Sequence, residues 1–163
     1  MGKNNNLIIE DAKIIFRNFA GKETQYNREG DRNFSVIIDD PDMAAALIED
    51  GWNLKLLKPK DEDDVPTYHL KVVVKMDGEW PAKLFLVNRR GRPNQLDEDT
   101  VRVLDSAELA NVDLTINASK WNVNGKSGIK AYLRDLYASQ VEDTLARKYS
   151  YDDSPMEAYS YRR

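Results

Sequence analysis

The stretch VDLTINASKWNV (112–123), NG (124–125) and KSGIKAYLRDLY (126–137) decides the fold class. Asn124-Gly125 is the favoured pair for a two-residue type I′ turn, in which both central residues take positive φ. So short a loop fixes the register of the strands it joins. Val123 then faces Lys126, Trp121 faces Gly128, Ala118 faces Ala131 and Ile116 faces Leu133. In that register one face collects Val112, Leu114, Ile116, Ala118, Ile129, Ala131 and Leu133, a core face. The other collects Thr115, Asn117, Ser119, Trp121, Lys130, Tyr132 and Arg134. Two separate alternations agree with one turn, which makes this a long β-hairpin with one buried side.

Outward from the hairpin, the rest of the chain also reads mainly as strands. Leu7 to Phe16 is apolar enough for a first strand, and Phe34 to Ile38 is a short β-branched one. The intervening Gly21 to Arg32 has no apolar period and reads as an exposed loop. Asp40-Pro41 starts a helix, with Asp40 as N-cap and Pro41 at the first helical position; Gly51 stops it. Trp52 to Leu57, Tyr68 to Met76 and Lys83 to Val87 follow as strands. Between them lie an acidic loop, Lys58 to Pro66, and a turn at Asp77-Gly78; a basic loop, Asn88 to Gln95, comes after the last. A short helical turn is expected within Asp97 to Leu109, and another around Thr144 to Tyr149. There is no internal repeat. One domain over residues 1–149 and a polar tail over 150–163 account for the 163 residues.

Composition narrows the function. Apolar residues make up 41% and charged residues 32%, the balance of a globular domain. There is no cysteine, so disulfides and thiolate metal sites are excluded and a reducing, cytoplasmic setting is expected. The apolar run near Leu7 is too short for a signal peptide, no stretch reaches the length of a membrane span, and Asn6 stands where a myristoylation signal needs Ser or Thr. The net charge of −4 argues against generic duplex-DNA binding, but the charges are segregated. Acid gathers in Asp61 to Asp64 and Asp97 to Asp99; base gathers in Arg89-Arg90-Gly91-Arg92 and along Lys120 to Arg134. Local patches set the field that a ligand meets.

Catalytic chemistry finds little support. His69, the one histidine, alternates with Lys71, Val73 and Lys75 and reads as a solvated strand residue. No Gly-rich phosphate loop, zinc pattern or nucleophile elbow is present. The acid clusters lack the spacing of a calcium loop and read as solvated loops. The outer hairpin face is more telling, because Lys130, Tyr132 and Arg134 alternate base, aromatic, base, with Trp121 across the hairpin on the same side and Lys126 at its tip. Rings on which bases stack, set beside cations that follow phosphates, suit single-stranded nucleic acid. A plainer reading stands beside it: Trp121 covers Gly128, Tyr132 packs as a sheet aromatic, and the cations solubilise. Tyr26, flanked by Arg28 and Arg32, offers a second stacking point, and Arg89, Arg90 and Arg92 offer clamps for backbone phosphates. Phe34, Trp52 and Tyr68 alternate with aliphatic residues and read as core; Trp80 sits in a turn beside Pro81.

Three strings, NREGDRNF (27–34), IEDGWNLK (48–55) and WNVNGKSGIKAYL (121–133), resemble a family of bacteriophage single-stranded DNA-binding proteins, and the resemblance runs from Leu7 to Tyr149. It implies an OB-fold, here an OB-fold-like Greek-key barrel with one or two short helices, and a role in phage DNA replication or recombination in the host cytoplasm. The implied partners are single-stranded DNA and replication or recombination proteins, with no enzyme activity, cofactor, metal or membrane. The chain departs from many such proteins at its end, Tyr159-Ser160-Tyr161-Arg162-Arg163, where an acidic tail is common. Two rival readings remain at this point: a protein-docking module that uses the acidic loop, and a divalent-metal nuclease that uses the acid clusters.

Overall fold

The computed structural model describes residues 6–57 and 67–141. Its elements run β1 (Asn6–Ile9), β2 (Ile14–Asn18), β3 (Arg32–Ile38), α1 (Pro41–Asp50), β4 (Leu54–Leu57), β5 (Thr67–Val74), β6 (Lys83–Val87), β7 (Pro93–Leu96), α2 (Val103–Ser106), β8 (Leu109–Val123) and β9 (Lys126–Gln140). The nine strands form one mixed sheet ordered β1-β8-β9-β5-β3-β2, with β4 on β5 and the β6–β7 pair on β9. The sheet is not closed, and the architecture is OB-fold-like.

The β8–β9 hairpin is the spine. Asn124 and Gly125 take φ of 52° and 81°, both in the left-handed region that the turn requires. Val123 pairs with Lys126, Trp121 with Gly128, Ala118 with Ala131 and Ile116 with Leu133. Beyond Leu133 the ladder slips by one residue, since Thr115 pairs with Asp135 and Arg134 has no opposite number. This β-bulge turns Leu136 and Ala138 inward, so both are fully buried. It is also where β9 changes parallel neighbour, from β5 (Val72 with Ala131, Val73 with Tyr132) to β6 (Lys83 with Asp135 onward). The core gathers Phe34, Val36, Leu70, Val72, Leu84, Leu114, Ile116 and Leu136 between the folded-over parts of the sheet. The Asp40 side chain accepts from Asp42 N at 3.0 Å and caps α1.

Several expectations are corrected. The first strand is two: Asp11, at φ 53°, breaks the run, β1 pairs with β8, and β2 pairs with β3. The Asn88–Gln95 stretch is half hairpin, because β7 pairs with β6 and Asn88 Oδ1 accepts from the N–H groups of Arg90 and Arg92 to shape the turn. The short helical turn expected within Asp97–Leu109 is present, as the four residues of α2. Trp52 is buried as expected, but Leu56, which alternates with it, is exposed on β4, a strand that among the described strands pairs only with β5. His69 is only partly solvated. It is half-buried against Phe16, with its Nδ1 shielded and unpartnered among the described residues. The Asp61–Asp64 loop, the Thr144–Tyr149 segment and the 150–163 tail lie outside the described residues.

Candidate nucleic-acid interface

The outward face of β5 carries Lys71 and Val73, and that of β9 carries Lys130 and Tyr132. The parallel pairing of Val73 with Tyr132 brings the two faces together. Over this surface stands the loop between β2 and β3. The result is a cleft of about 870 Å³, lined on one side by Trp121, Lys130 and Tyr132 and on the other by Tyr26, Arg28 and Arg32. Two segments almost a hundred residues apart thus meet in one groove. Its bases are Arg28, Arg32, Lys71, Lys75 and Lys130; its acids are Asp31, Asp77 and Glu98.

The ring-bearing side chains differ in how they are held. Trp121 lies across the strand gap left by Gly128: a Cβ on Gly128 would stand 2.9 Å from Trp121 Cζ2, closer than a real contact allows. The ring is nonetheless 43% exposed and lines the cleft, so covering Gly128 and offering a face are compatible. Tyr132 is half-buried, with Lys130 Nζ 5.5 Å from its ring centroid, a cation–π distance. Tyr26 is 89% exposed.

Tyr26 is presented by a loop that is organised from within. The two N–H groups of Asn27 Nδ2 are shared among three carbonyls, those of Lys22 (2.9 Å), Arg28 (3.0 Å) and Asp31 (2.9 Å), and Asn27 Oδ1 accepts from Asn33 Nδ2 at 2.9 Å, which ties the loop to β3. Thr24 and Asn27 exchange backbone hydrogen bonds. Arg28 pairs with Asp31 at 3.4 Å on an open surface, where such a pair contributes little. Arg32 is half-buried, and its Nη1 donates to the Phe19 carbonyl at 2.6 Å, so part of its guanidinium is committed to the fold.

Of the residues singled out from the sequence, Tyr26, Arg28, Arg32, Trp121, Lys130 and Tyr132 come together. Arg134, the bulge residue, lies outside the cleft lining, with Nε 4.0 Å from Asp135 Oδ2. Lys126 at the hairpin tip and Arg89, Arg90 and Arg92 around the β6–β7 turn are not brought to the cleft either. Sequence reasoning missed Lys71 and Lys75, whose outward alternation was visible but whose neighbour, β9, was not. The Asp97 carboxylate accepts from Asp99 N, Thr100 N and Thr100 Oγ1, and these bonds, the Thr100 backbone first, hold its pKa below the usual value. Among the described residues no group of three metal-ligating side chains forms, and no helix is long and apolar enough to cross a membrane.

Comparison with known proteins bears on the family and the fold. Residues 2–158 match the model of a family described as a phage ssDNA-binding domain. None of the curated proteins matches the sequence. Among solved structures, the single-stranded DNA-binding protein of bacteriophage Enc34 in complex with ssDNA is similar, with a TM-score of 0.54 at 7% identity over 85% of this chain and 88% of that one. The same Enc34 protein in a second structure gives 0.52 at 7% identity, over 94% and 90%. At such identities the likeness speaks for the fold.

Proposed function

The chain belongs to the phage ssDNA-binding domain family, and on that premise we propose that it binds single-stranded DNA in the cleft between the β2–β3 loop and the β8–β9 hairpin. Binding is without strong sequence preference and serves phage DNA replication or recombination, beside the proteins of those processes. The observation that supports this reading most is the meeting of three accessible aromatic rings with five basic side chains in one open groove. Every base has a π-face, so stacking on Trp121, Tyr132 and Tyr26 is indifferent to sequence, while Lys71, Lys75, Lys130 and Arg28 meet the phosphates. A duplex hides its base faces and cannot use the rings.

The test is a fluorescence titration of the wild type with single-stranded and duplex oligonucleotide at two salt concentrations. Affinity for the single strand is expected to exceed that for duplex and to fall with salt, by about 0.7 in log–log slope per neutralised phosphate. Trp121→Ala should weaken binding by about 1–3 kcal/mol, one base–aromatic stack. Lys130→Ala should lower the salt slope by about one phosphate's share. Equal affinity for the two DNA forms would overturn the reading. A Trp121→Ala protein that melts earlier but binds normally would reduce Trp121 to a cover for Gly128.

A further inference from the structure

We propose that the same sheet face holds a second nucleobase subsite, in which Phe16 offers its ring to a base and Lys55 and Lys71 offer charge to the flanking phosphates of the strand that leaves the Trp121–Tyr132 cleft. The proposal rests on single-strand binding by that cleft. Phe16 is 64% exposed and sits at φ 52°, a left-handed conformation that is a true outlier for so bulky a residue. Strain of this kind persists only where the surroundings enforce it, and it clusters at functional positions. Here the enforcing feature is the irregular register of β2 between Ile15 and Asn18, which throws the ring outward. Core packing does not account for a phenylalanine held in this way. The ring instead meets His69 at 5.4 Å and 75°, a contact that fixes its attitude without burying it.

The surroundings suit a polyanion. Phe16, His69, Lys22, Lys55 and Lys71 line a groove of about 510 Å³. Its acid, Asp105, is occupied: its oxygens accept from Phe19 N at 2.6 Å and Ala20 N at 3.0 Å. Arg17 is occupied too, through the carbonyls of Leu104 and Ala107. Bonds to neutral backbone groups cancel neither charge, so the lining sets four cations, Arg17, Lys22, Lys55 and Lys71, against one carboxylate, and the three lysines are the cations free to turn to a ligand. Lys55 is close enough to His69 to lower the imidazole pKa, second to burial as a cause, which agrees with a positive local field. Tyr26, Asn27, Asn33 and Lys71 line both this groove and the main cleft, so a strand lying in one passes directly into the other.

The experiment compares wild type, Phe16→Gly, Phe16→Trp and Lys55→Gln with oligothymidylate of about 12 nucleotides, within the ~4–16 nucleotides that one such fold covers. Phe16→Gly should bind about 5- to 150-fold more weakly, the loss of one stack. Its melting temperature should hold or rise, because glycine accepts the positive φ. Phe16→Trp should keep wild-type affinity, and Lys55→Gln should lower the salt slope by about 0.7. Wild-type affinity in Phe16→Gly, with Trp121→Ala still weakened, would overturn the subsite and leave the cleft standing. Failure of the wild type to bind would overturn both.

Discussion

The β8–β9 hairpin and the loop between β2 and β3 line the same cleft, yet they hold their shapes by different means. The hairpin is held by a long backbone ladder and a buried face, with Leu114, Ile116, Ala131, Leu133 and Leu136 all under 5% exposed. The loop has one apolar anchor, Phe19 at its start, fully buried and stacked on Phe34 at 5.1 Å; from Gly21 to Asp31 it buries no apolar side chain. Asn27 takes the place of a core, gathering three carbonyls and the Asn33 amide around one side chain. A rigid platform thus faces an arm whose shape depends on a handful of polar contacts, each with a net contribution of only about 0.5–1.5 kcal/mol. Platform damage should appear as lost stability, and arm damage as lost binding.

Leu136→Ala is the harshest test of that division. Leu136 is fully buried and pairs with Leu114 on β8 and Leu84 on β6, so truncation leaves a cavity where β9 changes neighbours. A loss of about 2–5 kcal/mol is expected in urea denaturation. Oligonucleotide affinity, measured where the variant is still folded, should stay near wild type. A large affinity loss in folded protein would show that the platform is not independent of what lies beneath it.

Asn27→Ala probes the arm and should act the other way. Two donors shared among three carbonyls, and one accepted bond, go with one side chain, but the groups they leave behind are near water and can be resolvated. Global stability should fall by about 1 kcal/mol or less. Binding should weaken more visibly, because Tyr26 and Arg28 lose the frame that aims them. Unchanged affinity would mean that the loop does not help to hold the DNA.

The same contrast explains what the sequence made legible. The hairpin obeys local rules, a turn dipeptide plus period-2 alternation, and Trp121, Lys130 and Tyr132 followed from it directly. α1 was equally readable, from Asp40-Pro41 at one end and Gly51 at the other. The Arg134 bulge left only a faint trace, the three-residue spacing of Leu133 and Leu136. The β6–β7 hairpin was obscured because Pro93-Asn94-Gln95-Leu96 has no strand-forming bias and its turn is shaped by the Asn88 side chain. Lys71 and Lys75 come to the cleft through a β5–β9 pairing of two residue pairs between distant segments, and nothing in single-chain periodicity encodes such a contact. Phe16 was hidden at the end of an apolar run. Ile14-Ile15-Phe16 places three apolar residues in a row, which a strand with one wet face cannot all bury, and that was the available sign.

The smallest expected effect concerns His69, where the platform side of the molecule meets the strained Phe16. Burial first, and Lys55 second, lower its pKa from the ordinary 6.5. In the unfolded chain the imidazole regains the ordinary value, so at pH just below 6.5 the unfolded state takes up a proton that the folded state refuses. The neutral form's full contribution to stability is therefore present above pH 6.5 and is lost as pH falls from there toward the folded-state pKa. Below that pKa both states are protonated and no more is lost. His69 is the one histidine in the chain, so a difference between the wild type and a His69 variant reports on it alone. Melting temperatures of wild type and His69→Gln between pH 7.5 and 5.5, expressed as their difference, should isolate the effect: the wild type loses ground on acidification while the variant stays flatter. A wild type that gains stability over the same range would mean that the protonated imidazole is favoured in the folded protein, and that the groove around Phe16 is less positive than its lysines suggest.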